Sequence, residues 1–409
     1  MGWKARHPNH DLRFNMDKKI NFDTRLVRTG SDPKNQQGAV NPPVYRASTV
    51  IFPTVKAMKD AEKIKFDTTF YGVLGTPTTF ALEDAMAEIE GGYRAVSVSS
   101  GLAAITTALI TFLKSGDHLL MVDSVYGPTR NFCNTTLKNF GIETTYYDPL
   151  IGTKIKELIK PETKIIFTES PGSYTFEIQN IPAIVKIAHE HNIKVILDNT
   201  WSAGYYFKPF DYSVDISIQA TTKYQAGHAD VILGHIIAKT KQDWLELKLT
   251  TGALGQAVAP DVCYLALRGI RTLSVRLEEH QKNAIEVANW LSKRPEVETI
   301  LHPAFTSCPG HEIWQRDFTG SSGLFSIILK DYSTKQVNEM LDHMDYFAMG
   351  FSWGGFESLI VPCDPTKIRS ATKWNASGPL LRIHVGQEDV QDLIEDLERG
   401  LNRLSGKKL

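Results

Sequence analysis

Residues 163–200 read TKIIFTESPGSYTFEIQNIPAIVKIAHEHNIKVILDNT, and this stretch sets the architecture of the chain. TKIIFTES (163–170) and IKVILDNT (193–200) are short apolar runs, each closed by a polar cluster. Between them, IPAIVKIAHEHN (181–192) has helical spacing. Strands buried on both faces with a helix between them belong to a parallel sheet covered by helices. The alternation extends upstream. TTFALEDAMAEIEGG (78–92) places Phe80, Met86 and Ile89 near one helical face and stops at the Gly91-Gly92 pair. RAVSVSS (94–100) and DHLLMVDS (117–124) read as strands, GLAAITTALITFL (101–113) and TRNFCNTTLKNFG (129–141) as helices. Downstream, DISIQATTKYQAGHAD (215–230) is a further strand that runs into Lys223.

The character changes after about Gly269. RTLSVRLEEHQKNAIEVANWLSKRP (271–295) reads as one long helix able to bridge to a second unit. GLFSIIL (323–329), ESLIVPC (357–363) and LLRIHVG (380–386) are separate strand candidates with helical stretches around them. The expected fold is α/β: a large, mostly parallel sheet domain over residues 73–268 and a small α+β domain over 269–409. Residues 1–72 lack a strong period, and QQGAVNPPVYRAST (36–49) suits an extended arm. Such an arm cannot bury itself in its own chain and is expected to pack on a neighbouring subunit.

Of 409 residues, 42% are hydrophobic and 22% charged, as in ordinary globular proteins. Forty-five basic and 46 acidic residues give a net charge of −1, which favours neither nucleic acid nor an anionic membrane. Cys133, Cys263, Cys308 and Cys363 are widely spaced, so neither a metal site nor a disulfide framework is expected. The polar start lacks an apolar h-region, and no run reaches the ~20 apolar residues of a membrane span. A cytoplasmic location follows as the expectation.

In open parallel sheets, ligands bind beyond the carboxyl ends of the strands. The polar clusters therefore converge: Ser99-Ser100-Gly101, Asp123 with Tyr126, Glu169-Ser170, Asp198-Asn199-Thr200, and Thr222-Lys223. A glycine opening a helix directly after a strand leaves free N–H groups for a phosphate. Asp198, closing an apolar strand, is either a turn residue or the counter-charge of a protonated heterocycle. Lys223 is either a solvated charge or, desolvated near other cations, a nucleophile able to condense with an aldehyde. Tyr126 either packs or stacks on a flat ring. Arg382, inside an apolar strand pattern, needs an anion: a structural carboxylate or the carboxylate of a substrate. Taken together, these groups describe pyridoxal 5′-phosphate and an amino acid. A nicotinamide enzyme is disfavoured because no G-x-G-x-x-G follows a first strand.

The stretches FYGVLGTPT (70–78), LDNTWSAG (197–204), SIQATTKYQAGHAD (217–230), RDFTGSSGLFS (316–326), SWGGFESL (352–359) and LLRIHVGQEDVQDL (380–393) carry a resemblance. From about Thr24 to Leu404 the chain resembles the pyridoxal-phosphate enzymes of cysteine and methionine metabolism, the trans-sulfuration family. The resemblance implies a fold type I, aspartate-aminotransferase-like large domain and a homotetramer built from two active dimers. It implies Lys223 as the lysine that carries the cofactor, Asp198 as the partner of its ring nitrogen and Tyr126 as the stacked ring. Gly101, Leu102, Thr200 and Thr222 are implied around the cofactor, with Tyr71 supplied by the adjacent subunit. Ser352, Trp353 and Arg382 are implied at the substrate. The implied reaction is α,β-elimination of L-cystathionine to L-homocysteine, pyruvate and ammonia, with action on other cysteine S-conjugates. The alternatives are γ-elimination or γ-replacement, an amino-acid racemase as sole or added activity, and a non-enzymatic cofactor-binding protein. Two positions depart from the family pattern: Val73 stands where an arginine usually aims at the other subunit's phosphate, and Ala220 where many relatives have serine. The second departure favours the β-eliminating branch.

Overall fold

The computed structural model describes residues 20–406. Among the described residues, eleven strands form two sheets. The first holds β1 (Arg94–Val98), β2 (His118–Val122), β3 (Glu143–Tyr147), β4 (Thr163–Glu169), β5 (Lys194–Asp198), β6 (Ile216–Gln219) and β7 (Gly234–Ala238). Their order is β1-β7-β6-β5-β4-β2-β3, parallel except for β7, which runs antiparallel to both β1 and β6. Five of the seven are the strands read from apolar runs. β3 and β7 were not anticipated: β3 (ETTYY) is an edge strand with four of its five side chains partly or fully exposed, so it lacks a buried apolar run. The second sheet is antiparallel, in the order β10-β11-β9-β8, from β8 (Val297–Leu301), β9 (Leu324–Leu329), β10 (Leu359–Cys363) and β11 (Leu380–His384).

The helices Pro77–Glu90, Gly101–Phe112 and Ile181–Glu190 follow the expected spacing. TRNFCNTTLKNFG begins as the helix Gly127–Phe132 and widens into a π-turn over Cys133–Leu137. The long helix is Leu273–Leu291. Its first turns, through Leu273 and Leu277, pack in the core of the large sheet, while Ala284, Val287, Ala288 and Leu291 pack in the core of the small one.

Strand periodicity assigns the two faces of the small sheet. On β9, Phe325, Ile327 and Leu329 enter the small core, whereas Leu324 and Ile328 join the large one. On β11, Leu381 and Ile383 enter the small core. Arg382 and His384 alternate with them, which turns both toward the large domain. The cleft between the two units is thus lined by the carboxyl ends of parallel strands on one side and by alternate residues of β11 on the other.

Of the expected arm, residues 1–19 lie outside the described residues. Within the remainder, two short helices that lacked a clear period in the sequence are present, Phe22–Arg28 and Val55–Lys63. Leu26 anchors the first in the large core, and Lys208 lies 3.5 Å from the Phe22 ring centroid. Between Asn35 and Val55 the chain has neither helix nor strand, and Val40 and Ile51 stand open to solvent at 73% and 81%.

Candidate active site

Ser99-Ser100 follows β1, and the helix Gly101–Phe112 starts at once. Ser100 caps it, its hydroxyl accepting from the Ala103 N–H at 3.0 Å. The N–H groups of Gly101 and Leu102 point out of the helix start and, with the helix dipole, make a seat for a phosphate. Gly101 lies against β6's end so closely that a Cβ there would meet the Ala220 Cβ at 2.5 Å. The two small residues at 101 and 220 therefore shape one another.

β5 delivers Asp198. Its Oδ1 accepts from the Thr200 N–H at 3.0 Å and the Thr200 hydroxyl at 2.5 Å. Thr200 in turn accepts from the Ala220 N–H at 3.0 Å. Thr200 therefore orients Asp198 instead of presenting a free hydroxyl. Among the described residues nothing donates to Asp198 Oδ2, which leaves an open acceptor for a ring N–H at the half-buried end of β5. Burial raises the Asp198 pKa, against the Thr200 hydrogen bonds and the Lys223 charge that lower it.

Lys223 follows β6. Its Nζ donates to Ser352 Oγ at 2.6 Å and lies 5.2 Å from the Trp353 ring centroid. Burial, and then the Arg382 charge, lower its pKa to about 8, with Asp198 pulling the other way. Roughly a tenth of the amine is thus neutral at pH 7, far more than for a solvated lysine.

Thr222, beside Lys223, is turned elsewhere. Its hydroxyl donates to the Leu233 carbonyl at 3.1 Å and accepts from the Leu233 N–H at 2.9 Å, closing on the chain that leads into β7. To reach a phosphate this hydroxyl has to leave the Leu233 carbonyl.

Tyr126 stands 45% exposed in the turn after β2. Its N–H donates to Glu169 Oε2 at 2.8 Å. Glu169 ends β4 directly opposite Asp198 in the β4–β5 register. Burial and the neighbouring Asp198 hold the Glu169 carboxyl well above the usual range, against the Tyr126 N–H that lowers it. Burial, then Glu169, Tyr174 and Asp198, also raise the Tyr126 phenol pKa, against Arg382.

The small sheet supplies Arg382. Among the described residues no carboxylate lies within ion-pair distance of it; its Nη2 donates to the Ser352 carbonyl at 3.1 Å, and the guanidinium sits 5.9 Å from the Tyr174 ring centroid. A desolvated arginine without a carboxylate partner is poised for an external one. The structural salt-bridge reading is not met.

The segment between β10 and β11 is fastened over this cleft. Asp123, at the end of β2, accepts from the N–H groups of Ser370, Ala371 and Thr372 at 2.9, 3.1 and 2.8 Å. The Thr372 hydroxyl and the Arg130 guanidinium also donate to it, at 2.7 and 2.6 Å.

Lys223, Asp198, Tyr126, Gly101, Leu102, Thr200, Thr222, Ser352, Trp353 and Arg382 therefore border one cleft. Tyr71 does not join it within its own chain: 47% exposed before the turn Gly72–Leu74, it makes no hydrogen bond or ring contact to Lys223 among the described residues. Val73 lies in that same turn, 38% exposed. The residues present fit pyridoxal phosphate: an amine of lowered pKa, an open carboxylate oxygen and a helix start for the phosphate.

The family description Cys/Met metabolism PLP-dependent enzyme matches residues 23–402. A cystathionine beta-lyase of Haemophilus influenzae is 47% identical over 95% of this chain and 100% of its own. An L-alanine/L-glutamate racemase of Wolbachia pipientis wMel is 43% identical over 93% of this chain and 96% of its own. The crystal structure of metB from Corynebacterium glutamicum superimposes with a TM-score of 0.86 at 30% identity, covering 94% of this chain and 99% of that one. The chain belongs to the Cys/Met metabolism PLP-dependent enzymes.

Proposed function

We propose that the protein cleaves the Cβ–S bond of L-cystathionine, releasing L-homocysteine, pyruvate and ammonia, and acts on other cysteine S-conjugates. The observation that carries the reading is the placement of a lysine of lowered pKa between an open carboxylate and an unpaired arginine. The choice of substrate rests on the likeness to the Haemophilus cystathionine beta-lyase.

Arg382 receives the substrate α-carboxylate through two parallel hydrogen bonds. Lys223 would hold the cofactor, Asp198 Oδ2 would face its ring nitrogen, Tyr126 would cover the ring, and the Gly101 and Leu102 N–H groups would take the phosphate. When bound, pyridoxal phosphate supplies an electron sink that makes the substrate Cα–H acidic. Once the substrate's amino group has displaced it from the cofactor, the freed Lys223 can remove the Cα proton; its lowered pKa puts it near working pH, where a general base is most effective. Ser352 Oγ, 2.6 Å from Nζ, orients the amine toward Cα. Tyr126 keeps its phenol proton in this environment, so it serves better as a donor to the departing sulfur than as a base.

A second reading, racemisation of alanine or glutamate, has the Wolbachia relative in its favour. It needs the same Cα proton removal, followed by return of a proton to the opposite face. Assays separate the readings: pyruvate and a thiol from cystathionine support β-elimination, 2-oxobutyrate would replace it with γ-chemistry, and loss of optical activity from L-alanine would mark a racemase. Lys223→Ala must abolish pyruvate formation; a variant with wild-type turnover sinks the assignment.

The same reading places the arm to residue 72, the cofactor domain 73–268 and the C-terminal domain 269–409 in a cytoplasmic homotetramer. The exposed apolar side chains of the arm, Val40, Tyr45 and Ile51 among them, support burial against another subunit, and the four free thiols suit a reducing compartment.

A further inference from the structure

We propose that His384 is a positioning residue that hangs the Ser352–Gly354 loop over Lys223, so that its imidazole sets where the reactive amine sits.

Two alternate side chains of β11 hold this loop. Arg382 grips its beginning, through the Ser352 carbonyl at 3.1 Å. His384, two residues on and on the same face, grips its end: the Gly354 N–H donates to His384 Nε2 at 3.0 Å. The other ring nitrogen fixes the tautomer. Nδ1 faces the Glu357 carbonyl at 3.0 Å and can only donate there, so Nε2 is left as the acceptor. That carbonyl belongs to a rigid corner, because the next residue, Ser358, gives both its N–H and its hydroxyl to Glu388 at 2.8 Å. His384 is 1% exposed, and burial holds its pKa well below the ordinary value, so the ring stays neutral.

The loop has no slack. Gly354 has φ +85°, and a Cβ on it would stand 2.9 Å from the Tyr224 nitrogen and 3.1 Å from the Lys223 Cα. Backbone meets backbone at the base of the reactive lysine. Ser352 is held in the left-handed region as well, at φ 76°. A serine persists in that conformation only when its surroundings over-determine it. Here the two β11 side chains do so, and they bring Ser352 Oγ to within 2.6 Å of the Lys223 amine. If the Gly354 N–H loses its acceptor, the loop lifts and Ser352 no longer directs Nζ.

This inference rests on Lys223 being the cofactor lysine, and the test separates the two. His384→Asn copies only the Nδ1 donor; His384→Gln copies only the Nε2 acceptor. Each is purified, and three quantities are measured: binding of pyridoxal phosphate to the apo-protein by quenching of tryptophan fluorescence, kcat, and KM. His384→Asn should lose roughly 10- to 100-fold in kcat, the range for a buried N–H left without its acceptor, and bind the cofactor more weakly. KM should move less than kcat, because Arg382 remains on its own strand. His384→Gln should recover most of both losses. Equal impairment of the two variants, an Asn variant with wild-type kcat, or failure of both to fold would overturn the positioning role. A wild-type protein that takes up no cofactor would instead overturn the underlying reading of Lys223.

Discussion

Replacing Gly101 by alanine tests whether the phosphate seat owes its shape to two missing side chains. The added Cβ would stand 2.5 Å from the Ala220 Cβ, 3.1 Å from its Cα and 3.8 Å from its nitrogen. Carbon atoms rest at about 3.5–4.0 Å, so the helix start and the end of β6 must part by roughly 1 Å. Overpacking of this kind costs about 1–3 kcal/mol. The displaced groups include the N–H donors at residues 101 and 102, and if the cost falls on cofactor binding, the affinity drops by roughly 5- to 150-fold. Ala220→Gly removes the nearest atom, so that the backbone carbon of residue 220 becomes the closest neighbour of the added methyl group. In the double variant most of the lost affinity should return, a favourable coupling of about 1–2 kcal/mol. Titration of the four apo-proteins with pyridoxal phosphate reads this cycle. Strictly additive effects, or a Gly101→Ala protein that binds like the wild type, would refute the reasoning.

Three further outcomes follow from the same geometry. Glu169→Gln, which keeps an amide oxygen to accept the Tyr126 N–H, should keep activity within about fivefold, whereas Glu169→Ala strands that N–H and should lose about 1–3 kcal/mol of stability or transition-state binding, read as Tm and kcat/KM. Burial would raise the Asp123 pKa, but its hydrogen bonds from Ser370, Thr372, Ala371 and Arg130 outweigh that and hold it below the ordinary value. Its stabilisation is therefore present above the unfolded carboxyl pKa of about 3.9 and is lost as pH falls through the lower folded value. Asp123→Asn should cost roughly 3–5 kcal/mol near neutrality, and thermal melts should show a shallower acid limb than the wild type; parallel limbs would contradict the assignment. Val73→Arg restores the charge that the family pattern aims at the other subunit's phosphate. It should tighten cofactor binding by roughly ten- to a hundredfold in a titration, the worth of one charge-assisted contact; unchanged affinity would mean that Val73 lies away from the phosphate.

The sequence made the parallel layer legible because strands buried on both faces are mostly short apolar runs, as β2, β4 and β5 are, while β1 and β6 alternate apolar residues with Ser97, Ser217 and Gln219. β3 escaped since an edge strand need not be apolar, and Thr144 and Thr145 carry it. β7 gives an apolar GHIIA, yet its antiparallel return depends on pairing with β1 and β6, which no local period encodes. Asp198, Lys223 and Tyr126 could be read because strand ends converge by topology alone. Arg382 could be read because a charge inside an apolar strand demands an anion. His384 carried the same signal two residues along and was missed, since a lone histidine on a strand is usually a satisfied core residue. Its weight comes from Gly354, which reaches it only after the chain folds back over Lys223. The resemblance implies Thr222 at the cofactor, and the pairing of its hydroxyl with Leu233 is visible only once β7 is in place.

The most direct test of the central claim is chemical. Reducing the purified protein with borohydride after incubation with pyridoxal phosphate, then digesting it and sequencing the peptides by mass spectrometry, reveals which amine bears the cofactor. A single phosphopyridoxyl group on Lys223 is the predicted result. A group on another lysine, or none on Lys223, would contradict it.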